Sequence, residues 1–417
     1  MAQLSDDCFA FGGTLLGLDA ALALITERVT PVVGEETVPL ATAAGRILAH
    51  DLVAEINVPP HANSAVDGYA IVHSDLLPGR DTVLPVTGRA AAGHPLGRAI
   101  ERGEAIRIFT GAPMPDGADT VMMQEDCELA EGKVTLQPGI KKGANRRHAG
   151  EDIAAGEVAL PAGRRLRPAD LGLAAALGHD RLTVHQRLRV ALMSTGDEVR
   201  EPGATLPPGT IYDANRAMLA SLLTGLGCEI SDLGIRPDRA AALVDTLAET
   251  ARTHDLIVTS GGVSTGEEDH VRAAIEKLGR IDFWRLAIKP GRPVALGQVK
   301  GVPLLGLPGN PVAAALTFAI LGRALILRLA GAVEPEPPTF PVQVDFAYKK
   351  RPGRREYVRA SLIRDDGALI ARKYPKDGAG ILSSIVRTDG FVIIDEAADG
   401  LKPGATADFL PYAEVLS

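Results

Sequence analysis

Cysteine is scarce in this 417-residue chain, and the three present, Cys8, Cys127 and Cys228, lie far apart. That excludes a CxxC zinc or redox pair and leaves no disulfide framework, so a reducing, cytoplasmic setting is expected. Nucleotide fingerprints are missing too. Neither G-x-G-x-x-G nor G-x-x-x-x-G-K-[ST] occurs, which removes the glycine-loop routes to a nicotinamide cofactor or a P-loop phosphate. The nine histidines show no ligand spacing such as H-E-x-x-H, and none receives a role. The opening Met1-Ala-Gln-Leu-Ser-Asp-Asp-Cys8 lacks the basic-then-apolar order of an export signal. Pro311 to Val333 alone imitates a membrane span, but it contains Arg323 and Arg328, each costing about 2.5–3.5 kcal/mol at a bilayer centre. It reads as a core helix, and no membrane partner is expected. Excess positive charge is also lacking: the formal net charge of −8 gives no expectation of nucleic-acid binding. No repeat of fixed period and no low-complexity tract occurs, which excludes a solenoid.

What is present is a globular composition, 46% hydrophobic, with chain enough for two to four domains. Helical spacing runs from Leu18 to Val29 and is stopped by Pro31. Between about Glu36 and Arg187, short apolar runs such as Ala105–Phe109, Val121–Met123 and Val158–Leu160 alternate with Gly and Pro clusters. That is a mainly β texture, with a short helix at Pro168–Leu177. From Leu188 to about Ala330, strands alternate with helical stretches at Arg216–Leu226, Arg239–Thr253, Glu268–Leu278 and Pro311–Leu329, so a mostly parallel sheet with helices on both faces is expected. Beyond Glu334-Pro-Glu-Pro-Pro338, alternating runs at Val342–Phe346, Tyr357–Ile363, Phe391–Ile394 and Ala407–Leu410 predict a small C-terminal β-barrel-like module.

Three strand ends carry the chemistry. Leu256-Ile-Val-Thr-Ser260 runs into Gly261-Gly262, Ser264-Thr265 and Glu267-Glu268-Asp269. The glycine pair lets successive N–H groups point at an anion, and the following helix adds the positive end of its dipole. Carboxylates beside such a nest repel phosphate unless a divalent cation or a proton lies between, which suggests metal-assisted chemistry on a phosphorylated ligand. Val190–Glu198 opens likewise into Ser194-Thr-Gly-Asp-Glu198, and Val302–Leu307 ends in Pro308-Gly309-Asn310-Pro311. Ligands of open α/β sheets bind outside the carboxyl ends of strands, so three such ends define a candidate crevice.

Other readings compete. Gly262-Val-Ser-Thr-Gly266 spells a nucleophile elbow, yet the one later histidine, His270, begins the next helix and cannot complete a hydrolase triad. Trp284–Pro293 is read as a strand with Arg285 and Ala287 on one face, ending at Lys289 and Arg292 around a Pro-Gly turn. It is either a phosphate-holding basic turn or a solvated strand end. In the β-rich part, Asp67-Gly68 is either a hairpin turn or a site, and Thr110-Gly111 either a strand end or a site.

Asn63-Ser-Ala-Val-Asp-Gly-Tyr-Ala70, Phe109-Thr-Gly-Ala-Pro113, Ser194-Thr-Gly-Asp-Glu198, Ile211-Tyr-Asp-Ala-Asn-Arg216, Ser260-Gly-Gly-Val-Ser-Thr-Gly266, Lys289-Pro-Gly-Arg-Pro293 and Leu307-Pro-Gly-Asn-Pro311 together resemble the molybdopterin molybdenumtransferase family, which includes the E domain of gephyrin. The resemblance implies an enzyme of molybdenum cofactor biosynthesis. Its substrates would be adenylylated molybdopterin and molybdate, its product AMP plus the metallated pterin, and its cofactor a divalent cation, Mg2+. It also implies four domains: 1–36 with 188–335 as the molybdopterin-binding α/β domain, 37–56 with 157–187 as a connecting domain, 57–156 as a β-rich domain, and 337–417 as the C-terminal β domain. A homodimer would follow, the β-rich domain reaching the partner subunit's site. A molybdopterin adenylyltransferase and recipient molybdenum enzymes would be its neighbours.

Carried over residue by residue, the resemblance gives Asp67, Thr110, Glu198, Asp269 and Lys289 as catalytic, with Glu198 and Asp269 holding the cation. Asp238, Ser260, Gly261, Gly262, Ser264, Arg285, Arg292 and the turn Pro308-Gly309-Asn310-Pro311 would bind ligand. Arg355 and Ser383 would join the oxyanion pocket. Arg285 stands where many relatives carry Lys, which keeps the charge but removes a proton donor, and Val66 replaces a usual Met. Two alternatives stay open: an adenylyltransferase, disfavoured by the β-rich domain, and a non-catalytic pterin-binding scaffold.

Overall fold

The computed structural model describes residues 9, 15–237, 240–261, 270–291, 293–333, 336–365 and 367–416. The expectations for Asp238, Gly262, Ser264, Asp269 and Arg292 lie outside them. Helix α1 (Leu18–Arg28) matches its predicted span: Leu18, Ala21 and Ile25 recur on one buried face, and Val29 turns extended before Pro31. Two compact units follow from the contacts, one of Met1–His50, Ala162–Arg167 and Leu182–Ser417, the other of Asp51–Pro161 and Pro168–Arg181.

The second unit is built on a six-stranded sheet. Its strands β1 (Gly68–Ile71), β2 (Thr82–Ala90), β3 (Ala105–Ile108), β4 (Thr120–Met123), β5 (Cys127–Ala130) and β6 (Lys133–Leu136) lie in the order β4-β1-β3-β2-β6-β5. Both faces are covered, which is why the strands read as short apolar runs. Ala70, Ile106, Ile108 and Ala90 pack on one side; Tyr69, Ile71, Ala105 and Leu84 pack on the other. Helix α2 (Pro168–Ala176) starts on a proline, whose missing N–H costs nothing at a helix start.

In the first unit, β7 (Arg189–Thr195), α3 (Ala214–Gly225), β8 (Glu229–Arg236), α4 (Ala240–Thr250), β9 (Leu256–Ser260) and α5 (His270–Leu278) give the expected alternation. Strands β10 (Gly279–Arg285), β11 (Ile288–Lys289), β12 (Pro293–Val299) and β13 (Val302–Leu307) follow. The large sheet has the order β8-β7-β9-β13-β12-β10. Pairings from β8 to β13 are parallel; β13–β12 and β12–β10 are antiparallel. The change of direction is local in origin. Lys300 and Gly301, at φ 49° and 82°, form a two-residue turn between β12 and β13 that suits a tight hairpin. Val190, Leu192, Leu256 and Val258 face α1, α3 and the helix after Pro311, while Met193 and Ile257 face α4 and α5.

One sequence expectation fails here. Trp284 to Lys289 is not a single strand: β10 ends at Arg285, Leu16 bonds to the Arg285 carbonyl and accepts from the Ala287 N–H, and β11 pairs parallel with Arg355–Glu356. Arg285 is exposed and Ala287 buried, so they share no face. Backbone partners in two different sheets override the alternation.

Helix α6 (Pro311–Thr317), a wide turn at Phe318–Gly322 and α7 (Arg323–Leu329) form one apolar rod. It is long and apolar enough to cross a membrane, yet 83% of its apolar window is buried against the rest of the molecule, as a core helix. The C-terminal strands β14 (Phe340–Val344), β15 (Arg355–Asp365), β16 (Ala368–Lys373), β17 (Gly390–Ile394) and β18 (Thr406–Pro411) run β15-β16-β14-β18-β17, and β17 pairs back on β15 to close a five-stranded barrel. Sequence reading passes over β16 because Ala-Leu-Ile-Ala-Arg-Lys shows no alternation.

Candidate active site

The ends of β7, β9 and β13 meet at the carboxyl side of the parallel strands. Gly261 sits at φ 82°, and a Cβ there would lie 2.7 Å from the Thr195 carbonyl oxygen, so any side chain is excluded both by conformation and by space. Its N–H bonds to the Leu307 carbonyl at 3.2 Å. Buried Asn215, in the first turn of α3, ties the remaining strands together: its Nδ2 donates to Ser260 Oγ (2.9 Å) and to the Gly309 carbonyl (2.8 Å). Helix α3 is fixed for this task by Asp213, which caps it by accepting from the Arg216 N–H at 3.0 Å. Ser194 Oγ and Thr195 Oγ1, at the buried end of β7, have no hydrogen-bond partner among the described residues.

Glu198 follows on the same loop. Its carboxylate lies over Gly196, where a Cβ would come within 2.6 Å of Oε2. The side chain is exposed, and its carbonyl accepts from the Ile211 N–H at 2.9 Å. Arg216 fastens this loop to the sheet by pairing with Asp213, Asp232 and Glu201 together. Burial alone opposes that charge, but the three carboxylates outweigh it and drive the guanidinium pKa upward. As a hard oxygen donor Glu198 suits Mg2+, but among the described residues no three His, Cys, Asp or Glu groups gather tightly enough to hold a metal.

Lys289 is already partnered. Its Nζ bonds to Glu356 Oε2 (3.0 Å) and to the Tyr348 hydroxyl (3.2 Å), and Tyr348 donates to the same carboxylate at 2.7 Å. Glu356 is only 2% exposed, so the lysine neutralises a buried charge. Burial pulls the Lys289 pKa down, and the bonds to Glu356 and Tyr348 more than reverse it. Arg355, next along β15, makes a bidentate pair with Asp19 of α1 (2.9 and 3.0 Å) and a 3.2 Å bond to Glu396. Ser383 begins a short helix, Ser383–Val386, and lies 3.4 Å from the Tyr374 hydroxyl; that contact, with Arg387 and Lys376 near, holds the phenol below its ordinary range. The barrel also touches the Pro-Gly-Asn-Pro turn, because the Val312 N–H bonds to the Ala379 carbonyl at 2.9 Å.

In the β-rich unit Asp67 and Thr110 are brought together. Asp67 Oδ1 accepts from both the N–H and the hydroxyl of Thr110, each at 2.8 Å. Those two bonds hold the Asp67 carboxyl below the usual range. The hairpin-turn reading of Asp67-Gly68 does not hold: Asn63–Ser64 pairs with Arg146–Arg147, while β1 pairs with β3 and β4.

Comparison with known proteins fits this geometry. Residues 16–178 match the family described as "MoeA N-terminal region (domain I and II)", residues 191–328 "Probable molybdopterin binding domain", and residues 341–412 "MoeA C-terminal region (domain IV)". A molybdopterin molybdenumtransferase of Haemophilus influenzae is 38% identical, over 96% of this chain and 100% of its own length. The chain belongs to the molybdopterin molybdenumtransferase family. A second relative, molybdopterin molybdenumtransferase 2 of Mycobacterium tuberculosis, is 36% identical over 80% of this chain and 85% of its own. The molybdopterin biosynthesis moeA protein from Pyrococcus horikoshii OT3 superposes with a TM-score of 0.82 at 28% identity, covering 96% and 100% of the two chains.

As a member of the molybdenumtransferase family the protein is a transferase of molybdenum cofactor biosynthesis. Sequence reasoning missed three residues that position candidate site groups. Asn215 could have been found, since it lies inside the Ile211–Arg216 motif at the start of a helical stretch, where a side-chain amide can reach neighbouring strand ends. Glu356 and Tyr348 carried no signal, because only the closed barrel brings them to Lys289.

Proposed function

We propose that this chain transfers molybdenum from molybdate to the dithiolene of molybdopterin, cleaving adenylylated molybdopterin and releasing AMP. The observation that carries the reading is the junction of three strand ends through Asn215 and Gly261 at the carboxyl end of a parallel sheet, where ligands of open α/β sheets bind. Ser260, Gly261 and Gly309 shape that junction, and Gly262 and Ser264, next in the chain, would offer their N–H and hydroxyl groups to phosphate. The exposed Glu198, with Asp269, would hold Mg2+; a divalent cation there offsets charge on the phosphoanhydride. Lys289, protonated beside Glu356, would offer an oxyanion such as molybdate a hydrogen-bond donor, and Arg285 and Arg292 would supply the net positive charge. Asp67, kept ionised by Thr110, serves the same site from the partner subunit of a homodimer.

The deciding measurement is AMP release from adenylylated molybdopterin by the purified protein, with and without molybdate and Mg2+. Release that depends on both supports the transfer. Tight binding of the pterin with no release under any condition would leave the protein a scaffold.

A further inference from the structure

Tyr69 on β1, Arg107 on β3 and Arg89 on β2 are register neighbours across three adjacent strands of the β-rich unit. The Arg107 guanidinium carbon lies 5.1 Å from the Tyr69 ring centroid and 4.7 Å from that of Phe109; the Arg89 guanidinium carbon lies 4.6 Å from the same Phe109 ring. Two like charges directly opposite each other on neighbouring strands destabilise a sheet. Among the described residues neither arginine makes a direct ion pair, although the nearby Asp67 carboxylate, which Arg107 helps to hold ionised, offsets Arg107 in part. Arg107 donates only to neutral acceptors, the Gly68 carbonyl (3.2 Å) and Gln124 Oε1 (2.5 Å). Glu125 lines the same cleft of about 620 Å³ as Tyr69 and Arg107; its carboxylate accepts from Gln124 Nε2 at 3.2 Å and makes no direct ion pair with either arginine.

The aromatic rings hold the guanidiniums flat and keep them from dispersing into solvent. The arrangement is also continuous with the Asp67–Thr110 pair: Gly68, which accepts from Arg107, follows Asp67, and Phe109 precedes Thr110. A preformed pair of planar cations with no direct ion pair suits a ligand with two adjacent negative charges. A phosphoanhydride diester has that form, one charge on each phosphoryl group, and each can take a two-pronged contact from a guanidinium.

We propose that Arg89 and Arg107, stacked on Phe109, form a docking ledge for the phosphoanhydride of the substrate beside Asp67 and Thr110. The ledge binds and orients; it moves no proton, since arginine stays charged. This rests on the reading of the protein as one that cleaves an adenylylated substrate.

The test uses the full-length protein and Arg89→Gln, an exposed position whose replacement leaves the sheet's hydrogen bonds intact. Calorimetric titration with inorganic pyrophosphate is expected to show binding weakened about tenfold, the loss of one charge-assisted contact. Arg89→Lys, which keeps charge without the planar stack, should fall between the two, and it carries the test if the Gln variant does not fold. With adenylylated molybdopterin, Arg89→Gln should raise KM about tenfold, much more than it lowers kcat. Unchanged pyrophosphate affinity in both variants, or no pyrophosphate binding by the wild type, overturns the ledge. A wild-type protein that binds pyrophosphate through Arg89 but never releases AMP would keep the ledge and overturn the enzymatic reading.

Discussion

At the end of β9 the backbone does the holding: Gly261 is pressed against the Thr195 carbonyl, its N–H is taken by Leu307, and Asn215 fixes Ser260 and Gly309 from below. At Asp67 in the β-rich unit, side chains do it: a carboxylate is aimed and kept ionised by one threonine at a partly exposed surface. The first arrangement tolerates no added atom, because main-chain groups cannot move aside. The second is adjustable, since solvent can replace either partner at modest cost. Substitutions should therefore act through structure in one region and through charge in the other.

The sharpest way to break this contrast is Gly261→Ala. Strain at positive φ costs about 1–3 kcal/mol before the clash with Thr195 is counted, so both stability and AMP release should collapse. An active, stable Gly261→Ala enzyme would show that the loop is free to rearrange and that the backbone is not the working part.

Next in size is Asn215→Ala, which removes two buried donors and leaves the Gly309 carbonyl unmatched. A loss of about 1–3 kcal/mol in unfolding free energy is expected, with turnover reduced more than tenfold. Chemical denaturation and AMP release measured on the same preparation check it. Loss of stability with full turnover would reduce Asn215 to a packing residue.

A mixing experiment asks whether the two regions serve one site. In a homodimer with shared sites, Asp67→Ala and Asp269→Ala proteins are each inactive, whereas a mixed dimer has one site with both lesions and one with neither. Equal mixing by co-refolding should restore roughly a quarter of wild-type activity. No recovery in mixed dimers confirmed by mass spectrometry would place both aspartates in one subunit's site.

The smallest effect should come from Thr110→Val. It deletes one of the two bonds that lower the Asp67 pKa, so the folded-state value should rise toward the ordinary 3.8. A depressed carboxylate contributes stability above its unfolded pKa and loses it as pH falls through the folded one, so the variant should lose that contribution at a higher pH than the wild type. Carbon-detected NMR titration of the Asp67 carboxyl gives the answer. An unshifted midpoint would mean that the backbone N–H of Thr110 alone sets the charge.

Much of the fold was legible because it depends on local pattern. Helix α1, the alternation from β7 to α5, and the buried helix after Pro311 follow from periodicity and from Pro31 and Pro311. Less was legible where pattern is weak or partners are distant: β16 has no alternation, and the Trp284–Lys289 run splits because its two halves bond to different sheets. The strand-end motifs stood out since glycine, hydroxyl and carboxylate in succession at a strand end have few structural uses. Ser260, Gly261 and the Pro-Gly-Asn-Pro turn are drawn together as their places at parallel strand ends suggested, and Asp67 with Thr110 as the family resemblance implied. Arg355 clamps α1 to the barrel through Asp19, a contact between residues more than three hundred positions apart.

By itself the sequence determined which segments turn sharply and which residues could carry charge at those turns, since glycine, proline and carboxylate express their chemistry wherever the chain goes. Tertiary structure alone decided which charges are already spent. Lys289 neutralises Glu356 and Arg216 gathers three carboxylates, while Arg89 and Arg107 are left facing each other across two strands. Pairing depends on distances of a few ångströms between residues remote in sequence, because the energy of two charges is fixed by their separation and by the solvent the fold excludes.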